Sequence, residues 1–490
     1  MRELPEGWTS CELKDVIGDF QAGFASGKKD VENGLKHLRM NNIGVDSKLN
    51  LELLRTVPPS LASQSHYLEE GDVLICTTNS AKLVGKCALF ELEGEFAFSN
   101  YLTRLKANPA IESKYLLHHL WLLWKEGDFE HRCKHWVNQS TLPKEELLAT
   151  RIGLPPFNEQ RRIVVKLEKL LNRVDAAQAR LATIPRILKR FRQSVLAAAC
   201  AGRLTADWRE ANSNTKLSSS NHEVTSNLFE FTSLPHTWKW STVENVCEKI
   251  VDCPHSTPVW TDTGFICVRT TNFKPNYLDL SEVRFVSKET YKHRIERLTP
   301  IAGDVLYSRE GGILGIACIV PTKVKLCLGQ RMMLLRAGSC YVPQLLMYWL
   351  NSPAILARVK ELTGGSASPH LNVRDIKNFP IPFLSLTEQQ EIVRRIEALF
   401  KTVDVLEARY RTAKAHVDKL TQSILARTFR GELVTTEAEL ARQEGRDYEP
   451  ASVLLERIRQ ERTQQATSTK PKPKQHRAAK KAASSTKLFT

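Results

Sequence analysis

Two sets of polar side chains fall in segments expected to be turns, one set in each half of the 490-residue chain. Lys28, Lys29, Arg39, Asn42, Thr77, Asn79, Lys82, Asn138 and Gln139 form the first, and His255, Arg269, Asn272, Arg309, Gln330, Arg331, Ser366 and His370 the second. These residue types suit nucleic-acid edges. Arg reaches guanine through two hydrogen bonds, Asn or Gln reaches adenine in the same way, and Lys mostly fixes a phosphate. Arg39 and Arg269 recur at matching places, and a residue kept in both halves can serve the fold instead of a half-specific sequence. Residues that differ between the halves are the better discriminators.

Bond-making chemistry is not encoded in the same way. No phosphate-cradling G-x-x-x-x-G-K-[ST] occurs, because Gly27-Lys28 lacks both the earlier Gly and the following hydroxyl. Leu154-Pro155-Pro156-Phe157 has the spacing of an amine-holding N/D-P-P-Y/F element, yet Leu154 offers no acceptor, so it reads as a strand leaving a domain. Gly311-Gly312 and Gly364-Gly365 are isolated turns, and no nucleophile elbow is present. The 11 cysteines are scattered without C-x-x-C or zinc spacing. They read as reduced, mostly buried small residues, and no metal site is expected.

The elements that would position these side chains come in duplicate. Apolar residues at Ile163, Leu167, Leu170, Val174, Ala177, Leu181, Ile184, Leu188, Phe191 and Val195 step by four and three alternately. The ladder returns as Ile392, Ile396, Leu399, Val403, Leu406, Tyr410, Ala413, Val417, Leu420 and Ile424. A 3.5-residue period marks a coiled-coil seam, so the chain is expected to carry its own coiled-coil partner. Each seam would make a rod of roughly 48 Å at about 1.5 Å per residue. Only antiparallel pairing uses that length, placing two globular units at opposite ends about a two-fold axis. Pro185 interrupts the first ladder and predicts a kink or a two-part helix.

Outside the ladders the words also repeat. LPEGW at Leu4 returns as LPHTW at Leu234, HLRMNNI at His37 as CVRTTNF at Cys267, and GDVLICTT at Gly71 as GDVLYSRE at Gly303. Each ladder opens on NEQRRIV or TEQQEIV and closes on FRQSVLAAACAGRL or LTQSILARTFRGEL, with Gly202 and Gly431 as expected helix stops. The expected organisation is a globular domain over 1–155, a coil helix over 156–205, a flexible Ser/Asn-rich linker over 206–232, a second domain over 233–383 and a second coil helix over 384–435. A short helix and a disordered basic tail would fill 436–490.

Net charge is +16, but eight Lys or Arg and no acid lie from Arg462 onward. Half the excess therefore belongs to the tail, which would attract phosphate without reading sequence. No apolar run is long enough for a membrane span, and MRELPEGW lacks the core of a signal peptide, so a cytoplasmic location and no membrane partner are expected.

Taken together, the LPxGW-like openings, the GDV strands, the PxP-xx-EQ starts of the coils and the QSIL-x4-RGEL close resemble the specificity subunit of type I restriction-modification enzymes, nearest its enterobacterial branch. The resemblance implies an α+β fold with two tandem target recognition domains, each followed by a long helix, the helices pairing as an antiparallel coiled coil. It implies double-stranded DNA as a partner, read as a bipartite asymmetric target with a spacer set by the coil. It also implies two modification subunits that methylate adenine N6 and two ATP-driven restriction subunits. S-adenosylmethionine, ATP and Mg would then sit on those partners, with no cofactor and no catalytic residue on this chain. Two alternatives stay open: a system whose nuclease is fused to the methyltransferase, and a coiled-coil linker that reads no DNA.

Overall fold

In a computed structural model the described residues are 4–27, 30–137, 139–212, 234–364 and 369–468, with residues 465–468 described by backbone only. Lys28, Lys29, Asn138 and Ser366, most of the expected linker and residues 469–490 lie outside them. The chain forms two compact units that do not follow chain order. One holds Met1–Ala179 with Lys414–Thr490, and the other holds Arg180–Ala413.

Within the first unit a four-stranded antiparallel sheet runs Ile17–Ala22, Leu102–Ala107, Val73–Cys76, Cys87–Leu89 in spatial order. The second unit repeats it as Cys247–Asp252, Met332–Ala337, Val305–Ser308, Ala317–Ile319. The match extends to a register shift between Ile17 and Asp19 that recurs between Cys247 and Lys249. A second sheet in each unit contains a parallel pair, Leu35–Leu38 with Phe96–Phe98 and Phe265–Val268 with Leu326–Leu328. Runs such as Val73–Cys76, buried throughout, suit strands covered on both faces. Asp72 and Asp304 of the GDV words close the turns before these strands, accepting from Glu69 N and Ile301 N at 2.8 Å each.

The long helices span Phe157–Cys200 and Leu386–Thr428. In the second unit Arg192 meets Asp404, while further along Thr205 meets Glu388. In the first unit Arg162 meets Glu437, and Leu167 shares a core with Leu425. Thr205 lies just past the end of the first helix and Glu437 past the end of the second, so each helix ends beside the start of the other and the pairing is antiparallel. Ile163, Leu167, Val174, Leu188, Ile392, Ile396 and Val403 are buried along the seam, each such side chain contributing about 1.5–3 kcal/mol. Leu170, Leu181, Leu399, Val417 and Ile424 are half-buried.

Two expectations need correction. Leu406 and Leu420, though on the seam by spacing, remain 44% and 42% exposed. A two-helix ribbon covers a seam residue from one side only, and no globular core reaches these positions. The two-part alternative at Pro185 is not seen either, since the first helix is continuous through it. That ring lies on an exposed face, where water can take the place of the hydrogen bond its nitrogen cannot make.

The repeated words meet in space. Gly202 and Gly431 adopt φ of +68° and +76°, and a Cβ on either would come within 2.3 Å of a proline ring, Pro235 or Pro5. The glycine ending each coil thus seats the proline of an LPxxW opening. The Glu-Gln pair starting each coil completes the joint. Gln160 accepts from Glu112 N and donates to Pro155 O, as Gln389 does with Val342 N and Leu384 O.

Candidate nucleic-acid interface

In the second unit five of the candidates gather at one edge of the sheet. Backbone bonds from Arg309 N to Arg331 O at 3.0 Å and from Leu371 N to Arg309 O at 2.8 Å lock three segments together. A bridge pairs Glu310 with His370 beside them. Gln330 Nε2 donates to His255 O, bringing that loop to the same edge.

Neighbouring arginines here have opposite environments. Arg309 is 7% exposed, with Nε and Nη2 on the Asp252 carboxylate at 2.9 and 2.8 Å and Nη1 on Leu371 O at 3.1 Å. Burial works against its charge, but the Asp252 hydrogen bonds and carboxylate outweigh that and lift its pKa above the ordinary value. Its guanidinium is consumed in holding the edge together. Arg331 is exposed, with a left-handed φ of +67°, uncommon for a side chain of its size. Its Nη1 would lie 3.2 Å from a Cβ built on Gly311, so the glycine makes room for the guanidinium to lie across the turn. His255 is 62% exposed and contacts Asp252 Oδ2 at 3.1 Å. His370 is exposed as well.

The corresponding edge of the first unit is built differently. Thr78–Asn79 pairs with Ser140–Thr141, which pairs with Lys134–His135 in a short hairpin. Thr77 Oγ1 sits 3.3 Å from Thr103 Oγ1, and the half-buried Asn79 amide contacts Cys76 Sγ and Ser80 N. Gln139 is exposed near the hairpin tip, its carbonyl accepting from Trp136 N at 2.7 Å. Lys82 is exposed on the turn Ala81–Leu83.

Arg39 and Asn42, like Arg269 and Asn272, are not brought to these edges by any hydrogen bond above. Asn42 is fully buried and Asn272 is 4% exposed. Each accepts from the backbone N–H of its arginine, at 2.8 and 2.9 Å, and spends its amide N–H on backbone carbonyls. Arg39 and Arg269 reach the carbonyls of Leu53 and Glu282. These four close the same turn in both halves. Sequence reasoning did not single out Asp252, or the exposed Trp136 and Val137, although the latter pair stands out as apolar within a polar run. Among the described residues no cluster of His, Cys, Asp and Glu is arranged to hold a metal ion, and no helix is long and apolar enough to cross a membrane.

Comparison with known proteins supplies the deciding observation. The profile of the type I restriction modification DNA specificity domain matches residues 5–186 and again 235–415. The chain belongs to this family. Its two matches are offset as the two sets of strands are, and each takes in a globular domain with most of the helix that follows. The specificity subunit of EcoKI from Escherichia coli K12 is 29% identical over 485 residues, spanning 94% of this chain and 96% of the relative. That of EcoBI from Escherichia coli is 33% identical over 341 residues, spanning 66% and 67%. A structure described as the basis of complex assembly and conformational transition of the type I R-M system superposes with a TM-score of 0.66 at 20% identity, over 88% of this chain and all of that one. The HsdS subunit of Thermoanaerobacter tengcongensis gives 0.54 at 20% identity, over 88% and 99%. This type I specificity subunit therefore has the HsdS fold, with paired long helices.

Proposed function

We propose that this specificity subunit reads a bipartite, asymmetric DNA target, one half-site per globular domain, with the paired helices setting the spacer. One observation carries the reading. The two domains share a strand framework down to a register shift, yet at the same sheet edge one presents Asn79 against Ser140 and the other Glu310 against His370. Base identity is read by groups exposed beyond the core, so two readers of different sequences on one scaffold should differ there. Arg331, His255, His370 and Gln330 are the base- or phosphate-contacting candidates of the second domain. Thr77, Asn79, Lys82 and Gln139 are those of the first.

The chain itself makes and breaks no bond. Two modification subunits, carrying S-adenosylmethionine, methylate adenine N6 at the site this chain selects. Two restriction subunits, carrying ATP and Mg, cut in its company, and the assembly works in the cytoplasm. Support comes from the chain's family membership and from the absence, in its sequence, of the phosphate loop and amine-holding element those reactions need. The test is methylation by the purified complex, with N6-methyladenine mapped in its DNA product. A single two-part motif with a fixed gap is expected. Methylation without a motif, or turnover by this chain alone, would overturn the assignment.

A further inference from the structure

The most exposed large apolar residue among those described is Val137, at 99%, and beside it Trp136 is 69% exposed. Neither is a loose end. Both sit at the tip of a hairpin whose strands, Lys134–His135 and Ser140–Thr141, are hydrogen-bonded to each other and to Thr78–Asn79. The backbone bond from Trp136 N to Gln139 O closes the tip. A further contact from His135 Nδ1 to Ser140 Oγ at 3.0 Å ties the strands. Burying an indole and an isopropyl group against the domain would be favourable, and this hairpin instead holds them away from every core cluster.

Their surroundings indicate what covers them. From His131 to Lys144 the chain has no acidic residue, while Lys134 and Lys144 are basic and Arg132 is paired with Asp128. A protein partner for this tip would have to be acidic around an apolar pocket. A DNA duplex already supplies phosphates flanking apolar base faces and thymine methyls. Its major groove, about 12 Å wide, admits a two-stranded β-ribbon. The hairpin is also continuous with Asn79, already a candidate reader.

Resting on the DNA-reading assignment above, we propose that this hairpin enters the DNA groove at the first half-site and that Trp136 and Val137 make apolar contact with the bases there. They add shape-dependent discrimination that hydrogen-bonding residues alone would not give. Lys134 meets the flanking phosphate.

The test uses the full chain assembled with its modification subunits, and two duplexes, one bearing the mapped target and one with its first half-site scrambled. Trp136→Ala with Val137→Ser should weaken binding to the target tenfold or more and binding to the scrambled duplex less than twofold, with Tm unchanged because both side chains lie outside the core. Trp136→Phe, which keeps a flat apolar face, should stay within about threefold of the wild type. Target affinity and methylation that are untouched by the double substitution would overturn the proposal, and so would loss of assembly with the modification subunits. Failure of the wild-type complex to distinguish the duplexes would instead overturn the DNA-reading assignment, and this inference with it.

Discussion

Trp8 donates its indole N–H to Glu159, 151 residues away, at 2.8 Å, deep inside the first unit. The same carboxylate accepts from Glu437 N at 2.7 Å, so one buried side chain joins the opening of the chain, the start of the first coil and the segment after the second. In the second unit Trp238 donates to Glu388 at 2.9 Å, and Glu388 also accepts from Thr205 and Arg209. Burial raises the Glu159 pKa, against the pull of these hydrogen bonds, so every donor it keeps matters.

Replacing Trp8 with Phe removes one donor and leaves a buried oxygen unpaired, which typically costs about 1–3 kcal/mol. Hydrogen exchange should then speed up across Thr9–Glu12 and Arg151–Leu154 while the second unit stays protected. Trp238→Phe should produce the reverse. Equal loosening of both units by either substitution would show that the joint is not local to its unit.

The two arginines at the second unit's sheet edge should separate cleanly. Arg309→Lys abandons a bidentate pair and leaves the half-buried Asp252 partly uncompensated, so stability should fall by about 1–3 kcal/mol. Arg331→Ala removes only exposed atoms. Its Tm should hold within a degree or two while discrimination in the second half-site drops, which calorimetry and binding to duplexes altered one pair at a time would measure.

Acid should loosen the first unit before the second. Burial lowers His37 and His118 to about 4 and His119 to about 3. The matching positions of the second unit hold Cys267, Tyr348 and Trp349. In the unfolded chain these histidines take up protons near pH 6.5, whereas in the fold they stay neutral until far lower. Their contribution is thus intact above about pH 6.5 and is lost as pH falls toward the folded values, at up to about 1.4 kcal/mol per pH unit for each. Hydrogen exchange at pH 7 and pH 5, corrected for intrinsic rates, should show the drop in the first unit.

Adding one heptad to both long helices keeps each seam in phase and shifts the helix ends by at most about 10 Å, close to three base pairs. Both half-sites should persist and the mapped gap should widen by one to three base pairs, with DNA bending and twisting absorbing the change of groove phase. An unchanged gap at full activity would remove the helices as the ruler.

The duplication was legible because its words are contact surfaces. LPxxW, the Glu-Gln pair and the closing glycine recur in sequence because Pro5 against Gly431, and Trp8 against Glu159, must be made twice. Coverage was not legible. Heptad spacing put Leu406 and Leu420 on the seam but carries no information about whether anything packs over them. Residue type alone could not separate Arg309 from Arg331, since the difference is a carboxylate 57 residues away at Asp252 and a left-handed backbone. Asn42 and Asn272 looked like base readers because a turn-closing amide and a base-reading amide are the same group. Trp136 and Val137 are visible as an apolar pair in an acid-free run, a signal that polar residue types do not carry.

The central claim, one half-site per domain, is tested most directly by exchanging residues 234–383 for the corresponding domain of a relative with a different target, then mapping N6-methyladenine made by the hybrid complex. The account predicts that the half of the motif assigned to this domain is replaced by the relative's half, with the other half and the gap unchanged. A motif altered in both halves, or in neither, would contradict it.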